Sequence, residues 1–142
     1  MGKISEGLAW DDSFKLGHHR VDMQHRRLFE LLSEVINSCI TNGTDTAKVK
    51  EALDFLVTYT VQHFDDEEAL QLEHSFPGYE KHKQLHEDFK TTVGELVQKF
   101  TETGSSEELG SELNRVVVKW LLGHIQNEDQ KIGAHMRQIG AS

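Results

Sequence analysis

The chain has 142 residues, one proline, one cysteine, nine histidines and a formal net charge of -9. That length suits one domain with a substantial core, while the lone Cys39 excludes an internal disulfide and a thiolate metal cluster. The acidic balance argues against nucleic acid and against an anionic membrane surface as partners.

Scarce proline and 27% charged residues point to long helices rather than a turn-rich β protein. The opening M-G-K-I-S-E-G lacks the apolar stretch of a signal peptide, and no run approaches a membrane span, so a cytoplasmic setting without direct membrane insertion is expected. Residues 1–17 show no sustained helical period. They read as an extended N-terminal arm that lays Trp10, Phe14 and Leu16 on the domain. Residues 18–137 then carry the helical pattern, and 1–142 is expected to form a single domain.

From His19 to Thr41, Val21, Leu28, Phe29, Leu32, Val35, Ile36 and Cys39 recur at helical spacing, with His25 on the same stripe. T-N-G-T-D-T breaks the pattern: Asn42 and Gly43 suit a helix end, and Thr44 or Asp45 the next cap. A second helix is expected from Thr46 to Leu72, its seam running through Val49, Leu53, Leu56, Thr60, His63, Glu67 and Leu70. H-S-F-P-G forms a turn in which Pro77 can take the first position of the third helix. That helix aligns Tyr79, His82, His86, Phe89, Val93, Leu96 and Phe100. After T-G-S-S-E-E, with Ser105 or Ser106 as cap, a fourth helix from about Glu107 to Ile132 buries Leu109, Leu113, Val116, Val117, Trp120 and Leu121 and carries His124. The expected architecture is all-α, an up-down-up-down antiparallel four-helix bundle.

In that bundle the histidines converge. His63/Glu67 and His82/His86 are i, i+4 pairs, each placing two ligand-type side chains on one helix face. The first pair lies near the end of its helix and the second near the start of the next. His25 near the start of the first helix and His124 near the end of the fourth fall at the same level. A lone histidine on an apolar stripe is commonly a hydrogen-bonded core residue. Five of them with Glu67 in one layer would instead bury polar groups at about 1–3 kcal/mol for each one left unsatisfied. The layer is a poor apolar core and a good metal cage.

Five imidazoles exceed what one four-coordinate zinc takes, and calcium or magnesium sites use oxygen. A carboxylate-bridged pair of transition metals fits, with iron the expected occupant of a nitrogen- and oxygen-rich site in a helical bundle. The two Glu-x-x-His spacings of ferritin-like sites are absent.

These residues carry a family resemblance. D-M-Q-H ending at His25, H-F-D-D-E-E from His63, F-P-G-Y with His82 and His86, and W-L-L-G-H-I-Q-N-E-D from Trp120 to Asp129 resemble the pattern of bacterial hemerythrins, from Trp10 to about Gly133. The resemblance implies two iron ions: His82, His86 and His124 on one, His25 and His63 on the other, with Glu67, Asp129 and an oxo or hydroxo group bridging them. It further implies reversible dioxygen binding at the position left open on the iron with fewer imidazoles, in a pocket lined by Trp120, Leu121 and Ile125. Nitric oxide and small anions are further candidate ligands there. The family includes free-standing carriers and sensory domains joined to a signalling module, and the same site open to water and reductant would make an enzyme reducing peroxide or nitric oxide.

Helix geometry disagrees with one of these assignments. Asp129 is five residues after His124, about 140° around an ideal helix, whereas Glu128 at i+4 would share its face. Spacing selects Glu128 and the resemblance selects Asp129. Glu68, one position off the seam, reads as a solvent-facing carboxylate or one that backs a ligand. His18, His19, His74 and His135 lie off the stripes and are expected to stay away from metal. Gln71, where relatives often carry methionine, and the His18-His19 pair depart from the family pattern.

Overall fold

A computed structural model describes residues 10–141. Four helical rods run through them. Helix α1 spans His19–Thr41, α2 Thr46–Glu73 and α3 Tyr79–Thr103. The fourth rod is a succession of α4 (Ser106–Glu112), a π turn at Leu113–Val117, α5 (Val118–Gly123), a second π turn at His124–Asp129, and α6 (Gln130–Gln138).

The rod ends follow the local chemistry of the sequence. Asp45 caps α2 by accepting from the Lys48 N–H at 3.3 Å, and Ser105 caps α4 by accepting from the Glu108 N–H at 3.3 Å. Gly104 ends α3 in the left-handed region (φ 65°), where a Cβ would be disfavoured. His18 Nδ1 accepts from the Val21 N–H at 3.3 Å, so this histidine serves as the α1 cap. Pro77 departs from expectation: α3 begins at Tyr79 with Gly78 as its cap, and Pro77 stays in the turn. The reason is how α2 closes. Ser75 adopts φ 53°, the Phe76 N–H donates to the Gln71 carbonyl at 2.9 Å, and the Ser75 N–H donates to that of Leu72 at 3.3 Å. This Schellman-type closure, built on serine instead of glycine, uses up the residues before Gly78.

The rods run antiparallel in sequence order. The start of α1 meets the end of α2 through Gln24 and Asp66, and at the far end Gly110 of α4 lies against Cys39 of α1, where an added Cβ would come within 3.1 Å of the cysteine Cβ. The main core fills the bundle between these ends, with Leu32, Val35, Ile36, Val49, Leu53, Leu113 and Ile125 among its buried members. Fully burying such a side chain contributes roughly 1.5–3 kcal/mol. In the fourth rod Val118 is buried while Val116 is only half-buried, a departure from uniform helical spacing that follows the first π turn.

The described part of the arm, Trp10 to Gly17, wraps the bundle end that carries the histidines. A 3-10 turn at Asp12–Phe14 buries Phe14 edge-on to Phe29, ring centroids 5.1 Å apart, with Trp10 against both rings. Leu16 enters a smaller cluster with Val21, Ile132 and Met136. The arm backbone is pinned on both sides. Asp22 accepts from the N–H groups of Leu16 (2.8 Å) and Gly17 (3.2 Å), while Gln130 Nε2 donates to the carbonyls of Phe14 and Lys15, and Arg137 to that of Leu16 at 2.7 Å. Gly133 makes this approach feasible, since a Cβ there would sit 2.6 Å from the Leu16 carbonyl oxygen. Residues 1–9 of the expected arm lie outside the described residues.

Candidate metal centre

All seven residues singled out as ligand candidates fall into one buried layer: His25 from α1, His63 and Glu67 from α2, His82 and His86 from α3, and His124 and Asp129 from the fourth rod. They form two groups. Glu67, His82, His86, His124 and Asp129 each offer a donor atom within 4.8 Å of the others, as do His25, His63, Glu67 and Asp129. The carboxylates belong to both groups and divide their oxygens between them. Glu67 Oε1 faces His82 Nε2 (2.8 Å) and His86 Nε2 (3.2 Å), while its Oε2 faces His63 Nε2 (3.1 Å) and His25 Nε2 (3.4 Å). Asp129 Oδ1 faces His82 Nε2 (2.9 Å) and His124 Nε2 (3.1 Å), and its Oδ2 faces His25 Nε2 (3.1 Å). One oxygen toward each group is the disposition of a bridging carboxylate.

Asp129 reaches this position because His124–Asp129 forms a π turn. With i to i+5 hydrogen bonding, a residue five positions on returns to the same face, which a regular α-helix gives to i+4. Glu128, the spacing-based alternative, instead points outward and pairs with Lys131 at 3.1 Å.

The residues fit a pair of cations and fit poorly as a metal-free core. His124 Nε2 lies 3.1 Å from His82 Nε2 and 3.2 Å from His86 Nε2, so three ring nitrogens aim at one point. His25 Nε2, Glu67 Oε2 and Asp129 Oδ1 are buried without an aligned hydrogen-bond partner. A cation at each focus satisfies lone pairs that protein groups here cannot. The electrostatics agree. Burial opposes charge on His25 and His82, but Asp129 and Glu67 outweigh it and raise both rings to about 9. His63 is lowered because desolvation dominates. Glu67 and Asp129 are held below the usual carboxylate range despite burial, through the surrounding histidines.

Around this layer lies an aromatic and aliphatic shell. Trp120 stacks on His124 (centroids 4.2 Å, 13°) and on Phe89 (4.0 Å), while Leu121 and Ile125 are buried beside His124. Phe64 stacks on His86 at 3.8 Å and 4°, a contact that sequence reasoning missed although Phe64 follows His63 directly. Two hydrogen-bond partners hold the outer ring nitrogens. His86 Nδ1 donates to Glu68 Oε2 at 2.9 Å, which decides between the two readings of Glu68, and His63 Nδ1 donates to Gln24 Oε1 at 2.7 Å. Gln24 was not foreseen; its place beside His25 on the α1 face toward α2 was the available signal. His135 donates to the His74 carbonyl at 2.8 Å, and none of His18, His19, His74 and His135 joins either donor group among the described residues. Gln71 is fully buried one turn beyond Glu67, with both amide atoms unpartnered.

A four-helix bundle whose core holds two histidine groups sharing two carboxylates belongs to the class of non-haem two-metal proteins. Residues 16–135 match the family model "Hemerythrin HHE cation binding domain". The chain is 33% identical over 136 residues to a bacteriohemerythrin of Stenotrophomonas maltophilia, covering 93% of this chain and 86% of that one. It is 31% identical over 129 residues to a myohemerythrin of Riftia pachyptila, covering 91% and 93%. Among solved structures, wild-type hemerythrin superimposes with a TM-score of 0.79 at 23% identity, covering 90% of this chain and 96% of that one. The chain belongs to the hemerythrin family, and its centre is a diiron site. None of the helices among the described residues is long and apolar enough to cross a membrane.

Proposed function

We propose that residues 1–142 act as a single dioxygen-binding domain in which His82, His86 and His124 hold one iron, His25 and His63 hold the other, and Glu67 and Asp129 bridge them. The observation that carries this reading is the inequality of the two donor groups, five protein donors against four. A six-coordinate ion with the smaller set keeps a position for an added ligand. When bound, the diiron centre supplies the electrons that dioxygen takes up on binding. The protein's part is to keep that event reversible. Trp120, Phe64, Leu121 and Ile125 pack around the rings and exclude water from them.

The test is one cycle of reduction and oxygenation followed optically. A carrier or sensor gives a long-lived coloured species that disappears on deoxygenation. Prompt decay to the diferric state would overturn reversible binding and favour reduction of peroxide or nitric oxide at the same site. Between carrier and sensor, the arm favours the sensor reading: Gln130, the neighbour of Asp129, donates to the carbonyls of Phe14 and Lys15. A shift of Asp129 is then felt by the arm. Equal protection of the arm from proteolysis in the diferrous and diferric forms would count against it.

A further inference from the structure

The histidines of the metal layer differ in what holds the far side of each ring. With Nε2 turned to the metals, Nδ1 carries the proton and its acceptor tunes the ring. His86 gives that proton to Glu68, a carboxylate only 12% exposed, at 2.9 Å. His63 gives it to the amide oxygen of Gln24 at 2.7 Å. Gln24 Nε2 in turn donates to Asp66 Oδ2 (2.8 Å), whose charge is already shared with Arg20 (3.0 Å) and with Gln62 on Oδ1 (3.0 Å). His25 Nδ1 is buried with no acceptor. A carboxylate draws the Nδ1 proton toward itself and makes Nε2 a stronger donor; a neutral amide does so less, and an absent acceptor not at all. Among His86, His63 and His25 the graded backing therefore runs in the same direction as the donor count. The anion-backed ring sits in the group of five, and the amide-backed and unbacked rings sit in the group of four.

We infer that Glu68 and Gln24 are positioning residues that make the two metal positions unequal in affinity, so that the His82/His86/His124 position fills first and the His25/His63 position second. This rests on the two-metal reading and is independent of whether dioxygen is the ligand. The order has a use. A metal bound first between Glu67 and Asp129 fixes both carboxylates before the weaker position is occupied, and the weaker position stays the more Lewis-acidic of the two.

The test is titration of metal-free protein with cobalt(II) against a competing chelator, followed through the visible bands, whose intensity distinguishes a five-coordinate from a six-coordinate ion and so identifies which position each step fills. Wild type should load in two resolved steps. Glu68→Gln keeps the shape and an acceptor oxygen, and should weaken the His82/His86/His124 step by about 10- to 100-fold while moving the other less than about threefold. A gain-of-affinity variant guards against a folding artefact. Gln24→Glu with Asp66→Asn preserves the hydrogen bond between those two side chains while backing His63 with a carboxylate, and should strengthen the His25/His63 step by a similar factor and narrow the gap. Equal loss at both steps in Glu68→Gln, or an unchanged gap in the double variant, would overturn the inference; so would a wild type that fills the four-donor position first. Dioxygen reactivity plays no part in the readout.

Discussion

His124 and Asp129 stand five residues apart yet share one face of the fourth rod, with Nε2 3.1 Å from Oδ1. The π turn between them decides which acid of the Glu128–Asp129 pair enters the metal layer. Asp129→Asn removes a shared oxygen charge and should cut iron content from two toward one per chain or lower. Glu128→Gln touches only the pair with Lys131 and should leave iron content at two and stability within about 0.5 kcal/mol. Elemental analysis of both variants beside wild type checks this; equal iron loss in the two would refute the assignment.

Gln71 is the clearest reservoir of instability. Its amide is 0% exposed and unpartnered, one turn beyond Glu67 on α2. Gln71→Met conserves volume and removes the unsatisfied groups, and should raise the stability of the metal-free protein by about 1–2 kcal/mol. Urea unfolding in the presence of chelator measures it. A loss of stability would mean that the amide is satisfied by buried water.

Gly133 holds the arm close. In Gly133→Ala the new Cβ meets the Leu16 carbonyl oxygen at 2.6 Å and Leu16 Cβ at 3.2 Å, so the arm must lift or the rod must shift. The expected result is a loss of about 1–3 kcal/mol together with faster amide exchange at Leu16 and Gly17, whose N–H groups are held by Asp22. Exchange confined to its wild-type rate at those two amides would contradict the contact.

Metal uptake should release protons. His25 and His82, raised to about 9 by the carboxylates against the effect of burial, carry protons in the metal-free protein at neutral pH, and the incoming ions must displace them. Apparent metal affinity therefore falls as pH is lowered below about 9. Release of about two protons per chain at pH 7.5, read with an indicator dye in weakly buffered solution, is the expected outcome. In the metal-free protein the same two rings contribute stability that is complete below the unfolded value of 6.5 and is lost as pH rises through about 9. His63, lowered by burial, opposes this: its contribution is lost as pH falls.

Much of this was legible in the residues because the physics involved is local or periodic. The bounds of α1, the caps at Asp45 and Ser105 and the convergence of the histidines on one end of the bundle follow from 3.6-residue spacing and side-chain capping. What escaped is what that spacing assumes away. Two π turns shift the phase of the fourth rod, so Val118 is buried where Val116 was expected, and spacing favoured Glu128 where the structure brings in Asp129. The left-handed Ser75 gives no glycine signal, and Pro77 was accordingly placed too far forward. Gln24 and Phe64 lie beside histidines in sequence, but their roles depend on neighbouring rods, which no single-helix pattern contains.

The second π turn also bears on how this chain tolerates changes in length. On a regular helix the eight steps from His124 to Ile132 would rotate the buried face by about 80°, yet both residues point inward. The widened turn absorbs one residue locally, and the inward faces above and below it stay in line. The same insertion in an unbroken helix would swing half of its buried face through about 100° into water. Between Gln126 and Glu128 a residue can therefore be lost without re-phasing the core on either side, the turn returning to regular α-helix, whereas a gained residue would swing the two inward faces out of line.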